Sequence, residues 1–424
     1  MNTRELIKHI ENGGIDEHLT LLYQDVPVAR QRYIKTCNSF INHFGERDEV
    51  RIFSAPGRTE VGGNHTDHQH GRVLAGSVDL DIIGIVALNA DNIVRIKSEG
   101  YSQDNISLDN LLINKSEFGR ASALVRGMCA SFKDRGYKLS GFDAYTTSNV
   151  IKGSGLSSSA AFEIFLGTTM NYLFNDGAIS PVEIAKMAQF SESTYFGKPC
   201  GLLDQSASAL GGFTAIDFKD TANPVIEKVD FNLDAHNHVL CVVDTGGNHA
   251  NLTQDYADIT VECKDVSNFF NKDYLRDVDE EEFFENIARV KAKCGDRAIL
   301  RAMHFFAEDK RAYAQKQALK NGDFAEFLRL INESGNSSYK YLQNVYSTSA
   351  INEQGLCLGL ALTEKFLKGR GACRVHGGGF AGTIQCFIPN ELINDYKVFI
   401  EKVFGNGRCH ILKIRPVGGY EVKL

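Results

Sequence analysis

No two cysteines in this sequence form a CxxC zinc or redox motif: the ten are scattered, and the nearest pair is Cys373 and Cys386. A dense disulfide framework is excluded on the same grounds, which makes reduced thiols in a cytoplasm the expectation. No stretch approaches the roughly 18 consecutive apolar residues of a membrane span. The opening MNTRELIKHIENGG is charged and amphipathic, without the apolar core of a secretory signal, so the expected protein is soluble and not exported. Basic charge is not in excess either. Lys plus Arg number 46 against 53 for Asp plus Glu, a formal net charge of -7, which argues against broad attraction to nucleic acid or anionic membrane and leaves a local phosphate site open. Prolines are few, 7 in 424 residues, and Pro-rich linkers, repeats and low-complexity tracts are absent, so the parts of the chain are expected to pack tightly together.

What is present is an ordinary globular mixture, 43% apolar and 23% charged, long enough for two or three domains or one large core. The first 50 residues read as helices, and RIFSAPGR, VLAGSVDLDIIGIVAL and NIVRIKS as strands. A helix ending at Gly136, the strand FDAYTTSNV, and two helices, SSSAAFEIFLGTTMNYLF and PVEIAKMAQFSESTYF, follow. After the strands FTAIDF and HVLCVVDTGG the stretch 253 to 368 is mostly helical, and the final segment returns to strand, helix and strand. Composition changes near 220 to 236, which divides the chain into 1–225 and 226–424.

Three segments carry chemistry. In SAPGRTEVGGNHTDHQHGRVLA, Arg58, Asn64, His65, Asp67, His68 and His70 crowd into one glycine-bounded loop between strands. The residues suit a metal site or a loop that grips a polyol. In NVIKGSGLSSSAAFEIF, Gly153 and Gly155 let backbone amides approach an anion, and Ser157, Ser158 and Ser159 open a helix whose positive end faces the same place, which is a phosphate cradle outside the Walker pattern. In RVHGGGFAGTIQCFIP, Gly377, Gly379 and Gly382 satisfy GxGxxG, but a strand follows where a dinucleotide fold needs a helix; a tight turn close to ligand or backbone is the expectation. Asp204, in CGLLDQ, stands where a carboxylate can reach a substrate hydroxyl.

In order, these segments resemble the galactokinase family of the GHMP small-molecule kinases. GRTEVGGNHTDHQHG is similar to the family sugar loop GRxNxxGEHTDxxxG, GSGLSSSA to its phosphate loop, CGLLDQ to CGxxDQ, and GGGFAG to GxGFGG. The resemblance implies an α/β, two-domain fold: an N-terminal domain like ribosomal protein S5 over 1–225 and a ferredoxin-like C-terminal domain with added helices over 226–424. It implies a kinase that moves the ATP γ-phosphate to the C1 hydroxyl of galactose or a close relative. Asp204 is then the catalytic aspartate and Arg58 the transition-state arginine. Gly153, Ser154, Gly155, Leu156, Ser157, Ser158 and Ser159 hold the ATP phosphates, Ser159 and Glu192 hold Mg2+, and Asn64, His65, Asp67, Gly201 and Tyr256 meet the sugar.

The sequence departs from the family in the sugar loop. Asn64 stands for the family glutamate, Glu60 for its asparagine and His68 for a tyrosine, so charge has moved within the loop. An amide donates as well as accepts, which opens a preference for a relative altered at carbon 6, such as galacturonate. A sugar sensor without turnover and a metal-dependent hydrolase built on HTDHQH are the readings from other classes. The oligomeric state is open between monomer and dimer.

Overall fold

The structure is a computed structural model, and it describes residues 1–151, 155–247 and 252–424. Three helices lead, α1 (Thr3–Glu11), α2 (Asp16–Leu22) and α3 (Val26–Phe44), the first closed by a capping box between Asn2 and Glu5. Then come β1 (Arg51–Gly62), β2 (Arg72–Leu88), β3 (Ile93–Ser98), β4 (Gln103–Ser107), α4 (Ala121–Asp134), β5 (Phe142–Ser148), α5 (Ser158–Phe174), α6 (Pro181–Phe190), α7 (Leu203–Leu210), β6 (Phe213–Asp217) and β7 (Val225–Val229). The remainder holds β8 (His238–Asp244), α8 (Thr253–Phe269), α9 (Glu280–Glu285), α10 (Ile287–Cys294), α11 (Asp296–Lys320), α12 (Phe324–Ser337), α13 (Gly355–Leu367), β9 (Ala372–Val375), β10 (Thr383–Pro389), α14 (Ile393–Phe404), β11 (Cys409–Leu412) and β12 (Tyr420–Val422).

The near-continuous apolar run of β2 has a physical reason. Successive side chains of a strand point to opposite faces, and here both faces are covered. Ile83, Ile85 and Ala87 join Leu6, Leu19, Tyr33 and Phe40 under the first three helices. Ile82 and Val86 join Met128, Phe165 and Ala185 in the layer of α4 to α7 on the other side. The strand is long enough to serve two neighbours on one edge: β6 pairs with Arg72–Gly76 and β5 with Ile82–Leu88, while β1 runs antiparallel along the other edge. The first sheet has the order β12-β1-β2-β5-β3-β4, with β6 and β7 attached through β2.

The second sheet has the order β11-β8-β10-β9, all antiparallel. In chain order its strands alternate with helices as strand, helix, strand, strand, helix, strand, with spatial order 4-1-3-2, which is the ferredoxin-like arrangement. The division expected at 225 falls at the start of β7, a strand of the first sheet, and β12 returns to that sheet beside β1. The ten cysteines are all free thiols.

One buried charge fixes the centre of the first sheet. Asp81, without solvent exposure, accepts from Tyr23 Oη at 2.5 Å and Ser54 Oγ and pairs with Arg32 at 2.6 Å and Arg415 at 3.0 Å. Burial opposes its charge, but the two guanidiniums outweigh that and hold the carboxyl below its ordinary range. Its backbone exchanges hydrogen bonds with Asn149, the first residue of the segment NVIKGSGLSSSAAFEIF, at 2.6 Å to the side chain and 3.1 Å to the amide.

Candidate active site

The strand β1 is irregular where the chemistry sits. Its register against β2 shifts between Pro56 and Arg58 and again between Glu60 and Gly62. Bulges of this kind re-aim side chains. A Cβ on Gly57 would lie 2.7 Å from the carbonyl oxygen of Leu156, so only glycine lets the end of the phosphate loop dock on the strand. The docked carbonyl accepts from the Arg58 amide at 3.1 Å. Arg58 is thus on the strand, as RIFSAPGR suggests, and not in the loop with Asn64 and His65, which begins after Gly62.

Arg58 joins three segments. Its Nε donates to Asp204 Oδ1 at 2.7 Å, its Nη2 reaches the same oxygen at 2.6 Å, and its Nη1 donates to the Gly155 carbonyl. Ser157 Oγ donates to the other oxygen, Oδ2, of Asp204. Ser157 stands just before α5 with φ of 54°, left-handed backbone that a non-glycine residue rarely adopts, and such strain is kept where geometry is over-determined. Leu156 is buried, and Ser158 and Ser159 form the first turn of α5. Gly153 and Ser154 lie outside the described residues.

Behind this group Ser159 Oγ donates to Glu192 Oε1 at 3.1 Å. Glu192 comes from a π-type turn over Ser191–Phe196 that continues α6; the sequence read this stretch as plain helix. Two residues missed from sequence hold it. Lys198 Nζ lies 3.1 Å from Oε1, and Gln205 Nε2 donates to Oε2 at 2.8 Å. Burial works against the ammonium of Lys198, but Glu192 outweighs it and raises its pKa. Glu163, also reached by Gln205, is pushed well above the carboxylate range by burial and then by the charge of Glu192.

The sugar-loop residues gather on the other side. Asp67 Oδ2 would be in van der Waals contact, 3.5 Å, with a Cβ at Gly201. His65 Nε2 donates to the Gly378 carbonyl at 2.8 Å, and Tyr256 Oη donates to the Gly379 carbonyl at 2.9 Å, so the glycine turn closes over the loop. A Cβ on Gly379 would meet the Asn344 carbonyl at 2.0 Å, and β10 follows the turn, in line with the close-approach reading of these glycines. Among the described residues no group of three or more His, Cys, Asp or Glu is arranged to hold a metal, and His70 instead stacks on Tyr274 at 3.5 Å between ring centres. The HTDHQH hydrolase reading loses its basis.

Asn64 sits deeper than its loop position suggests. Expected to face the sugar, it is fully buried, and its amide is complete within the protein. Its Nδ2 donates to Glu60 Oε1 and the Gly377 carbonyl, both at 2.8 Å, and its Oδ1 accepts from Asn344 at 2.8 Å and Ser338 at 3.3 Å. Two donors and two lone pairs are thereby used, and none is left for a ligand. Helix α11 holds the backbone here: Glu308 accepts from the amides of Gly63 and Asn64 at 3.1 and 3.4 Å, and His304 Nε2 donates to the Asn64 carbonyl at 3.0 Å.

Burial lowers the pKa of His304 from 6.5 to about 4, whereas Arg311 and its neighbours overcome burial at Glu308 and bring it to about 2. The unfolded imidazole therefore takes a proton at a pH where the folded one refuses it. The stability this group contributes is fully present above pH 6.5 and is lost as pH falls toward 4. Thermal unfolding followed from pH 7.5 to 5 should show a falling Tm, with a shallower slope in His304→Asn; equal slopes would refute this.

Residues 123–212 match the family model described as GHMP kinases N terminal domain, and residues 38–88 match the one described as galactokinase galactose-binding signature. A galactokinase of Glaesserella parasuis is 30% identical over 362 residues, 85% of this chain and 91% of its own. One from Clostridium tetani is 28% identical over 383 residues, 89% and 92% of the two chains. Among solved structures, Lactococcus lactis galactokinase complexed with galactose has a TM-score of 0.74 at 23% identity, covering 90% of this chain and 98% of that one. The Methanococcus jannaschii mevalonate kinase has a TM-score of 0.62 at 15% identity, covering 87% and 99%. The fold is thus the mixed α/β, two-domain fold of these kinases, and with a relative at this identity along most of both sequences, the chain belongs to the galactokinase family of the GHMP kinases.

Proposed function

We propose that this protein transfers the γ-phosphoryl group of ATP to the C1 hydroxyl of galactose. The observation that carries the reading is the contact of Arg58 with both Asp204 and the phosphate-loop residue Gly155. Phosphoryl transfer asks mainly for alignment and for charge where charge develops. The C1 hydroxyl hydrogen-bonds to Asp204, its oxygen forms the new bond to phosphorus as the bond to the bridging oxygen of ADP breaks, and the hydroxyl proton passes to the carboxylate. Arg58, between that carboxylate and the phosphate loop, faces the charge spread over the transferred group. Ser157 orients the second carboxylate oxygen. His65, Asp67, Gly201 and Tyr256 are the sugar contacts, and Gly153 to Ser159 the phosphate cradle.

The hydroxyl of Ser159 and the carboxylate of Glu192 are oxygen donors of the kind a hard divalent cation takes alongside substrate phosphates, so the pair fits magnesium. Bound there, the ion would neutralise phosphate charge. Lys198 holds the same carboxylate oxygen and supplies fixed positive charge beside it.

A coupled ADP-release assay over galactose, N-acetylgalactosamine, galacturonate, glucose and arabinose tests the reading. Galactose should give the highest kcat/KM, and Glu192→Gln should raise the Mg2+ concentration needed for half-maximal turnover. Sugar binding without ADP release would instead identify a sensor, and an unchanged Mg2+ requirement would remove Glu192 as a ligand.

A further inference from the structure

Resting on the galactose-kinase reading above, we infer that Glu60, and not Asn64, is the residue that reads the end of the sugar opposite the phosphorylated hydroxyl. Three observations lead there. The first is position. Between its two bulges β1 keeps regular register, with Arg58, Thr59 and Glu60 opposite Ser77, Gly76 and Ala75, so Arg58 and Glu60 lie on one face of the strand. They stand two residues apart, roughly 7 Å along a strand. That is the scale of one pyranose ring, with Arg58 holding Asp204 at one end and Glu60 at the other.

The second is chemistry left over. Glu60 Oε1 accepts from Asn64 Nδ2 at 2.8 Å and from Arg374 Nη2 at 2.9 Å. Among the described residues no donor reaches Oε2, yet that oxygen is not one of the enclosed polar atoms, and the side chain keeps 16% of its exposure. A carboxylate clamped by one oxygen and open at the other is a fixed acceptor. Asn64 has nothing comparable to offer, because its amide is used up within the protein. The third is exchange. The acid and the amide of this loop have swapped positions relative to the family pattern GRxNxxGEHTD, and the Asn64–Glu60 hydrogen bond joins the swapped pair, so the loop keeps one carboxylate and one amide while presenting the acid from the strand.

The specificity follows from the acceptor. A carboxylate takes a hydrogen bond from a hydroxyl, here the C6 hydroxyl at the far end of the ring, and repels a second carboxylate at that place. The chain is therefore a kinase for a neutral sugar bearing that hydroxyl and rejects its uronic acid. This reverses the preference for a carbon-6 acid that an amide at position 64 opens.

The experiment compares kcat/KM for galactose, 6-deoxygalactose and galacturonate in wild type, Glu60→Gln and Asn64→Ala. Ratios between sugars within one variant cancel the fraction of folded enzyme, so they stay readable if a variant loses stability through the buried Arg374. Wild type should favour galactose over 6-deoxygalactose by about 10- to 100-fold, the range of one hydrogen bond to a charged group. It should give no detectable turnover of galacturonate. Glu60→Gln should bring the first ratio to within a few-fold of one, mainly through KM, and admit galacturonate, because an amide at the open position donates. Asn64→Ala should change absolute rates but keep the discrimination. ADP release from galactose with a discrimination ratio unmoved by Glu60→Gln overturns this inference and leaves the kinase reading intact. No ADP release by wild type from any of these sugars overturns the kinase reading itself.

Discussion

Asp204→Asn should lower kcat by about 100- to 10,000-fold, the range for a lost acid or base group, while ATP binding changes little. The asparagine keeps an oxygen for Arg58 to hold and loses both the charge and the capacity to take the proton of the attacking hydroxyl. Ser157 would then face an amide where it now donates to a carboxylate oxygen, so the strained turn ahead of α5 is held less firmly. Steady-state kinetics paired with nucleotide binding by calorimetry separates the two effects. Turnover within a few-fold of wild type would remove Asp204 from the mechanism, and a large rise in the ATP dissociation constant would make it a positioning residue of the phosphate loop.

The largest effect on stability is expected at Asp81. Removing one partner of a fully buried ion pair costs about 3–5 kcal/mol, because the other charge stays behind without compensation. Asp81→Ala leaves two cations, Arg32 and Arg415, and also removes the acceptor of Tyr23 and Ser54. Such a loss is a large share of the roughly 5–15 kcal/mol that holds a domain together. Urea unfolding should show a much lower first midpoint or an aggregating protein. Lys35→Ala, which breaks an ion pair with Glu99 whose side chains are 71% and 42% exposed, should leave that midpoint unchanged. Equal behaviour of the two variants would show that the Asp81 network contributes no more than a surface pair.

How far the sequence carries depends on whether a residue's partners are near it in the chain. The glycine turn into α5 was legible because Gly155, Ser157 and the start of the helix are adjacent in the chain. The long apolar run of β2 was legible as a strand, whereas the covering of both its faces came from helices distant in the chain. Arg58 was legible as a charge at the end of the strand RIFSAPGR, but its reach to Asp204 was not, because the bulge beside it and the seating of Leu156 against Gly57 join residues far apart in the chain. The π-type turn under Glu192 carries no signature distinct from helix in SESTYF. Asn64 misled for a related reason. Its loop position is visible, whereas Asn344 and Ser338 lie some 270 to 280 positions further on and enclose it only once α12 and the glycine turn are in place. The anchors Glu308, His304 and Arg374 were missed likewise; a histidine or glutamate inside a long helix pattern announces no partner.

The return of β12 to the first sheet has a consequence for how the protein is made. The strand bearing Arg58 is completed on one edge by residues 420–422, and one of the two cations on Asp81, the fully buried one, is Arg415. A nascent chain emerging from the ribosome at about 5–20 residues per second has finished β1 and β2 long before those residues appear. During that interval β1 carries an open edge and Asp81 lacks one of its guanidiniums, so vectorial synthesis leaves the N-terminal half as an immature intermediate. Ribosome-stalled chains ending before residue 415 should accordingly be more sensitive to protease within residues 51–88 than chains stalled after residue 422 has cleared the exit tunnel.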